Sequence, residues 1–272
     1  MSYLVKEHNL SVRRACRIVG MSRSTYHRQP VKTTPEDPDK ALRGMLRDYA
    51  LKHPCHGFKR AHAWLVHDQG WQINRKKVQR LWREEGLTLK QVRRRRREGT
   101  TTTDLPVRAC KRNHVWSVDF QFHVTEDGRP FKIVSMIDEY TRESLLDVVE
   151  RKVNASQLCG ALTRVFQQRG VPEVLRMDNG PEFVSAALRR LCQDRVGMAF
   201  IPPGQPWNNG FVESFNRRRR YECLERHSFG SLLEAQVLIA DFHREHNQQH
   251  RHSSLGYMTP DEFASSCSEK TS

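Results

Sequence analysis

Three carboxylates stand out for where they sit. Asp119 lies in the middle of the most apolar strand-like run of the chain, HVWSVDFQFHV at 114–124, flanked by Val118 and Phe120 with Trp116 nearby. Aspartate is disfavoured in strands and is rarely buried unless it is paired or holds a metal. Asp178 follows a strand-like run at 173–177 and begins the turn Asp178-Asn179-Gly180. The carboxyl edge of a sheet is the usual place for sites in α/β folds. Glu213 falls on the first turn of a helix that opens after the Pro/Gly-rich start of IPPGQPWNNGFVESFNRRRRYECL, 201–224. Singly, the last two have ordinary explanations, because Asp-Asn-Gly is a good turn and acids favour helix N-termini. Together, three carboxylates on two strands and a helix of one sheet domain can hold two divalent ions about 4 Å apart. Mg²⁺, or Mn²⁺ in its place, suits such carboxylate-plus-phosphate sites. One ion would activate a water or a 3′-hydroxyl and the other would stabilise the leaving oxygen, so no covalent protein nucleophile is needed. Asp138, at the end of another strand, is a rival acid and reads, with Arg142, as structural or as a support for the site.

The helix that carries Glu213 also carries cations. Asn208 or Asn209 can cap it, and Pro202, Pro203 and Pro206 keep the preceding chain out of helix. Glu213, Asn216, Arg217 and Arg220 recur at i, i+3, i+4 and i+7, which is one face. Arg220 stands about 10 Å beyond Glu213 at about 1.5 Å per residue. An acid that can hold a metal beside bases that can hold phosphate suits chemistry on a nucleic-acid backbone. The loop at 202–209 is expected to be disordered without DNA, leaving Glu213 out of place in the free protein.

The elements that must position these groups read as a mixed α/β sheet. Strand-like runs at 114–124, 131–137 and 144–149 follow in hairpin succession. A helix at 155–169, a strand at 173–177, a helix at 182–195, a short strand at 198–201 and a helix at about 232–247 come after.

Ahead of them the chain is basic and helical. The net charge is +15 over 272 residues, but residues 1–113 hold 27 Lys/Arg against 10 Asp/Glu, and 114–272 hold 19 against 21. That asymmetry is the footprint of a nucleic-acid-binding segment joined to a neutral domain. The basic residues do not face a continuous apolar helix side, which disfavours a membrane-surface role. Residues 9–29 show a helix-turn-helix pattern, with Ser11 and Ser22 as caps, Gly20 in the turn and Arg23 opening the second helix. An ordinary αα-hairpin with a solvated basic face is the competing reading. After a proline-rich linker, helices at about 39–52, 57–69 and 75–85 form a second unit. Its last helix turns Lys76, Lys77 and Arg80 outward. Arg93 to Arg97 make a basic linker that either tracks phosphates or is a solvated spacer. His53, Cys55, His56, His62 and His67 do not have zinc-finger spacing.

Seven widely spaced cysteines without a CxxC point to free thiols in a reducing cytoplasm. No run of 18 apolar residues is present, so no membrane span is expected. MSYLVKEHNL has no apolar segment of the kind a secretory signal needs.

With these residues in hand, a resemblance can be given. WSVDF, RMDNGPEF and NNGFVESFN resemble the DDE motifs of retroviral-integrase-like transposases, and the closer likeness is to the OrfB-type transposases of bacterial insertion sequences. Arg220, seven residues after Glu213, stands where that family has Lys or Arg. HNQQHRHSSLGYMTPDEF resembles its closing motif, and HGFKRAHAWLVHDQGWQINRKKVQRLWREEGL its helical DNA-binding module.

The resemblance implies an RNase H-like catalytic core at 113–225. Before it would come a helix-turn-helix segment at 1–30, a helical module at 38–90 and a basic linker at 91–112. A helical extension would follow at 226–272. It implies Asp119, Asp178 and Glu213 as metal ligands for two Mg²⁺ or Mn²⁺ ions, with Asn179, Asn216 and Arg220 contacting DNA or supporting the acids. It also implies cleavage and joining of transposon ends and at least a dimer on double-stranded DNA, in the bacterial cytoplasm at the nucleoid. The family often fuses this product to an upstream frame by ribosomal frameshifting, and no leucine-zipper heptads occur here, so an upstream-frame product is a further expected partner. Between Asp178 and Glu213 lie 34 residues, one fewer than usual in the family. His246 stands where Tyr is common, an exchange expected to matter little. Two other classes compete: an end-binding repressor without catalysis, and an RNase H-type nuclease on RNA–DNA hybrids. The basic helical modules suit duplex DNA grooves better than hybrids.

Overall fold

The computed structural model describes residues 2–27, 37–89, 107–201 and 209–269. The arginine run at 93–97 and most of the loop before the Glu213 helix, 202–208, lie outside them. The chain divides into two compact units, 1–49 and 50–272.

In the first unit, helix α1 (Ser2–Lys6) precedes α2 (Val12–Val19) and α3 (Arg23–His27). The Ser11 side chain accepts from the Arg14 N–H, Gly20 ends α2 at a φ of 69°, and Ser22 accepts from the Thr25 N–H. These are the caps the sequence offers. Little is buried here: Ala15 and Cys16 on α2, and nothing on α3. Helix α4 (Lys40–Lys52) buries Leu42, Leu46 and Tyr49 along one face.

In the second unit, α5 (Phe58–His67) and α6 (Arg75–Glu84) bury Ala61, Leu65, Val78, Leu81 and Trp82. Asn74 caps α6 by accepting from the Lys76 N–H. A five-stranded sheet follows. Strands β1 (Val115–Val124), β2 (Pro130–Asp138) and β3 (Ser144–Glu150) form an antiparallel meander. On the other side of β1, β4 (Val174–Met177) and β5 (Gly197–Phe200) add in parallel, giving the order β3-β2-β1-β4-β5.

Helix α7 (Ala155–Arg169) occupies the expected residues and starts from a reciprocal cap, with Asn154 accepting from the Gln157 N–H while Gln157 accepts from the Asn154 N–H. Helix α8 is shorter than the 182–195 expected and spans Ala186–Cys192. The Ser185 hydroxyl caps it at Leu188, while Phe183 leaves the helical path to stack on Phe120 with ring centroids 4.6 Å apart. Then come α9 (Gly210–Glu222), α10 (Leu232–Gln248) and α11 (Pro260–Glu269).

Side chains alternate across the strands, so each strand feeds two faces. One face packs Trp116, Val118, Val134, Met136 and Leu175 under α7 and α8. The other packs Phe131, Ile133, Ile137 and Val149 under α9 and α10. Helix α10 therefore belongs to the packing of the sheet. No helix among the described residues is long and apolar enough to cross a membrane.

Candidate active site

Strand alternation places Ser117, Asp119 and Gln121 on the α9 face of β1, between the apolar positions Trp116, Val118 and Phe120 of the opposite face. Asp119 pairs with Ser135 across β2. The parallel β1–β4 register sets Ser117 against Arg176, and carried two residues further it puts Asp178 level with Asp119. Glu213 comes from the first turn of α9, which lies over β1 and β2. The three acids therefore approach one another from two adjacent strands and the helix above them.

Their electrostatics agree with that placement. Burial lifts the Asp119 carboxyl to about 6, and the charges of Asp178 and Glu213 push in the same direction. Hydrogen bonds from the Phe120 N–H and from Asn216 oppose the rise. Burial also raises Glu213, with the Arg217 charge acting against it. Asp178 is held by its own turn, its Oδ1 accepting from the Gly180 N–H at 2.9 Å. A Cβ at Gly180 would sit 3.0 Å from that same oxygen, so a side chain there would press on the Asp178 carboxylate.

Among the described residues, no three His, Cys, Asp or Glu side chains converge closely enough to hold a metal ion. The acids share one electrostatic field without forming a closed ligand set. Their chemistry fits a hard divalent cation, which takes carboxylate oxygens. A buried carboxyl that resists ionisation beside two other acids is the kind of group such a cation stabilises.

Asp119 is positioned by a buried network. The Asn216 amide donates to Asp119 Oδ2 at 2.8 Å. Asn216 Oδ1 accepts from Arg219 at 2.8 Å, which fixes the amide with its NH₂ toward the acid. Arg219 is fully buried; it pairs with Asp147 of β3 and donates to Ser135 of β2 and, at 3.0 Å, to Gln121 Oε1. Gln121 in turn donates to the Asn216 carbonyl at 3.0 Å. One guanidinium thus ties α9 to three strands and aims the side chain that holds Asp119.

At its other end α9 is tied to α5. Glu222, only 11% exposed, pairs with Arg60 and with Arg218, and His56 lies 3.6 Å away. The Cys55 thiol donates to the Tyr221 carbonyl at 3.3 Å.

Family models described as an integrase core domain match residues 109–206 and 194–260, and one described as an HTH-like domain matches 36–97. The chain is 24% identical over 214 residues to the transposase for insertion sequence element IS904 of Lactococcus lactis, covering 73% of this chain and 83% of that protein. It is 37% identical over 267 residues to the insertion element IS407 uncharacterized 31.7 kDa protein of Burkholderia multivorans, covering 97% of this chain and 94% of that one. The chain belongs to the insertion-sequence transposases of the integrase-core superfamily. The insertion element IS476 uncharacterized 39.2 kDa protein of Xanthomonas euvesicatoria is a further relative, 36% identical over 260 residues, covering 95% of this chain and 74% of that protein. A solved chain of the simian T-cell lymphotropic virus intasome shares the fold at a TM-score of 0.51 and 13% identity, covering 74% of this chain and 73% of that one. The core of this transposase is thus the RNase H-like sheet of the polynucleotidyl transferases, and its HTH-like and integrase domains make it a DNA-binding enzyme.

The HTH-like match covers the α4–α6 segment. There Lys76, Lys77 and Arg80 are exposed on α6, with Arg80 paired to Glu84 at 2.9 Å. Arg23 is exposed on α3. On α9 of the transposase, Arg217 and Arg220 are exposed, whereas Asn216 is 7% exposed and turned onto Asp119. Asn179 donates to the Ile201 carbonyl at 2.9 Å, bracing the chain just before 202–208.

Asn209 does not cap α9 with its side chain. Its amide donates instead to the carbonyl of Val118, at 3.4 Å, which anchors the helix start to the strand residue before Asp119. Asp138 is structural as expected: its carboxylate accepts from the N–H groups of Asn113, Tyr140 and Thr141. His246 matters more than the Tyr exchange suggested, since it is buried and bridges Arg218 and the Arg142 carbonyl.

The sequence reading missed Arg219, Gln121, Ser135 and Asp147. Arg219 was findable, because it continues the stripe Val212, Phe215 and Cys223 at helical spacing.

Proposed function

We propose that this transposase cleaves insertion-sequence ends and joins them to target DNA by in-line phosphoryl transfer, with Asp119, Asp178 and Glu213 holding two divalent ions. The observation that carries the reading is the Asp119 carboxyl. It is lifted to about 6 by burial, held by Asn216 and faced by two other acids. Two Mg²⁺ or Mn²⁺ ions bound there would supply an ionised nucleophile and neutralise charge on the leaving oxygen. The part played by the chain is positional. The sheet and the Arg219–Asn216 network fix Asp119, the Asp178 turn fixes the second acid, and α9 delivers the third. Arg217 and Arg220, exposed further along α9, take backbone phosphates. Exposed Lys76, Lys77 and Arg80 on α6, with Arg23 on α3, take phosphates or groove edges. Asn179 and Asn216 support the acids. Two ends must be brought together, so the working form is at least a dimer on double-stranded DNA.

Strand transfer of a labelled transposon-end oligonucleotide with Mg²⁺ tests this. Asp119→Asn and Glu213→Gln each preserve size and should lower the rate by about a thousandfold or more, the effect of several kcal/mol at the transition state. Undiminished transfer in both would remove the assignment.

A further inference from the structure

On the side of α9 turned away from Glu213 lies a cavity of about 430 Å³. Phe211, Phe215 and Arg218 line it from α9, at i, i+4 and i+7. Arg142 joins from the β2–β3 turn, Lys59 from α5, and Arg251 with His252 from the segment after α10. Five Lys and Arg residues line the cavity and no Asp or Glu does. The carboxylates that pair with these cations, Glu222 with Arg218 and Asp68 and Glu262 with Arg251, are not part of its lining.

The cations are built in and incompletely used. Arg218, its side chain 8% exposed, donates Nε to Glu222 at 2.6 Å and Nη1 to His246 Nδ1 at 2.6 Å. Its Nη2 is buried without a partner. Arg142 lies 4.0 Å over the Phe211 ring and leaves its Nη1 buried and unpartnered. His252 Nε2 is in the same state. His246 holds the frame: its Nε2 donates to the Arg142 carbonyl at 2.8 Å, which leaves Nδ1 as the acceptor for Arg218. A buried donor without an acceptor costs about 1–3 kcal/mol, and more when charged. Burial, and after it the Arg218 charge, holds His246 and His250 well below the usual histidine range and His252 at about 3. The lining therefore offers unpartnered donors and no carboxylate, while Glu139 and Asp138 act on Arg142, and Glu222 and Glu245 on Arg218, from outside it.

We propose that this cavity binds a phosphoryl oxyanion, supplied by a backbone phosphate of bound DNA. The planar guanidinium groups of Arg142 and Arg218 present forked donors of the kind that match phosphate oxygens. Exposed Lys59 adds a third cation from the HTH-like segment. One phosphate seated here engages the HTH-like segment, α9 and the residues after α10 at once. The inference rests on DNA binding by the chain and not on the roles of the three acids.

The test uses the full chain with Arg142→Asn and Lys59→Gln. Asparagine suits the φ of 65° at position 142, and Lys59 is exposed, so both variants should fold. Melting in sodium phosphate is compared with melting in sodium chloride at equal ionic strength, and binding of a transposon-end duplex is measured against salt. Phosphate should raise the melting point of the parent by a few degrees more than chloride does, and the variants should lose that difference. A structural role alone would lower melting equally in both salts. The slope of log K against log salt should shrink by about 1 in each variant. A shallower slope, with or without the melting difference, supports the DNA-borne phosphate. The melting difference with an unchanged slope overturns it in favour of a free phosphate ligand. Neither effect overturns the site. Asp119→Asn should keep both effects, so failure of the acid assignment and failure of this site are separate results.

Discussion

The two faces of the sheet are packed by different means. Under α7 and α8 the contact is apolar, running through Trp116, Val134, Met136, Leu158 and Leu162. Under α9 apolar residues, Phe131, Ile133, Val212 and Phe215, pack beside a polar seam of buried Gln121, Ser135 and the Asp147 side chain with half-buried Asp119, closed by Arg219. Apolar contact is non-directional and tolerates small displacements. A seam in which each donor has one acceptor does not, because a slipped helix would leave charges buried and alone. One face contributes stability, while the other fixes where α9 and the Asp119 carboxyl sit. The candidate site lies on the second.

That contrast can be broken experimentally. Arg219→Met should have the largest effect on stability, about 3–5 kcal/mol, since it strands Asp147 and its neighbours. Leu162→Ala on the opposite face should cost about 2–4 kcal/mol. Urea denaturation reads both. Strand transfer per folded molecule should collapse in the first and persist in the second; equal loss in both would erase the difference between the faces. A finer test is Asn216→Ala. It removes a hydrogen bond that lowers the Asp119 pKa, so in the metal-free protein the Asp119 carboxyl, followed by carbon NMR, should titrate at higher pH than the parent value of about 6. An unmoved titration would leave Asn216 as packing alone.

His246, His250 and His252 are held neutral, with His252 at about 3. Below about pH 6.5 the unfolded chain binds protons there that the folded chain refuses, so stability should fall as pH drops from about 6.5 toward 3. His252→Asn should flatten that fall in pH-dependent melting, and an unchanged curve would contradict the neutral state.

The frame of this site was legible because its signals are local. Asp119 declares itself as a polar residue in an apolar strand, and period-2 alternation assigns its face. The caps of α2 and α6 are written in Ser11 and Asn74. What was not legible depends on partners distant in sequence. In the run Arg217 to Arg220 the four arginines look alike, yet Arg217 and Arg220 are exposed while Arg218 and Arg219 are buried. Helical spacing singles out Arg219 with Val212, Phe215 and Cys223, but its acceptors Asp147 and Gln121 lie 72 and 98 residues away, where no local pattern points to them. Asn209 stands at the N-cap of α9 as expected, but its side chain bonds a carbonyl 91 residues away in place of the helix. Helix α8 began late because the capping strength of Ser185 and the burial of Phe183 outweighed helical propensity.

The Arg60–Glu222 pair has a consequence for inheritance. It joins the segment matched by the HTH-like family to the segment matched by the integrase core. A chimera that imports the HTH-like segment of a relative lacking Arg60 would leave Glu222, only 11% exposed, with fewer countercharges. The two segments are therefore not freely exchangeable parts. Through Glu222 and its partners Arg60 and Arg218, a change in the HTH-like segment is felt at the far end of the same helix that carries Glu213.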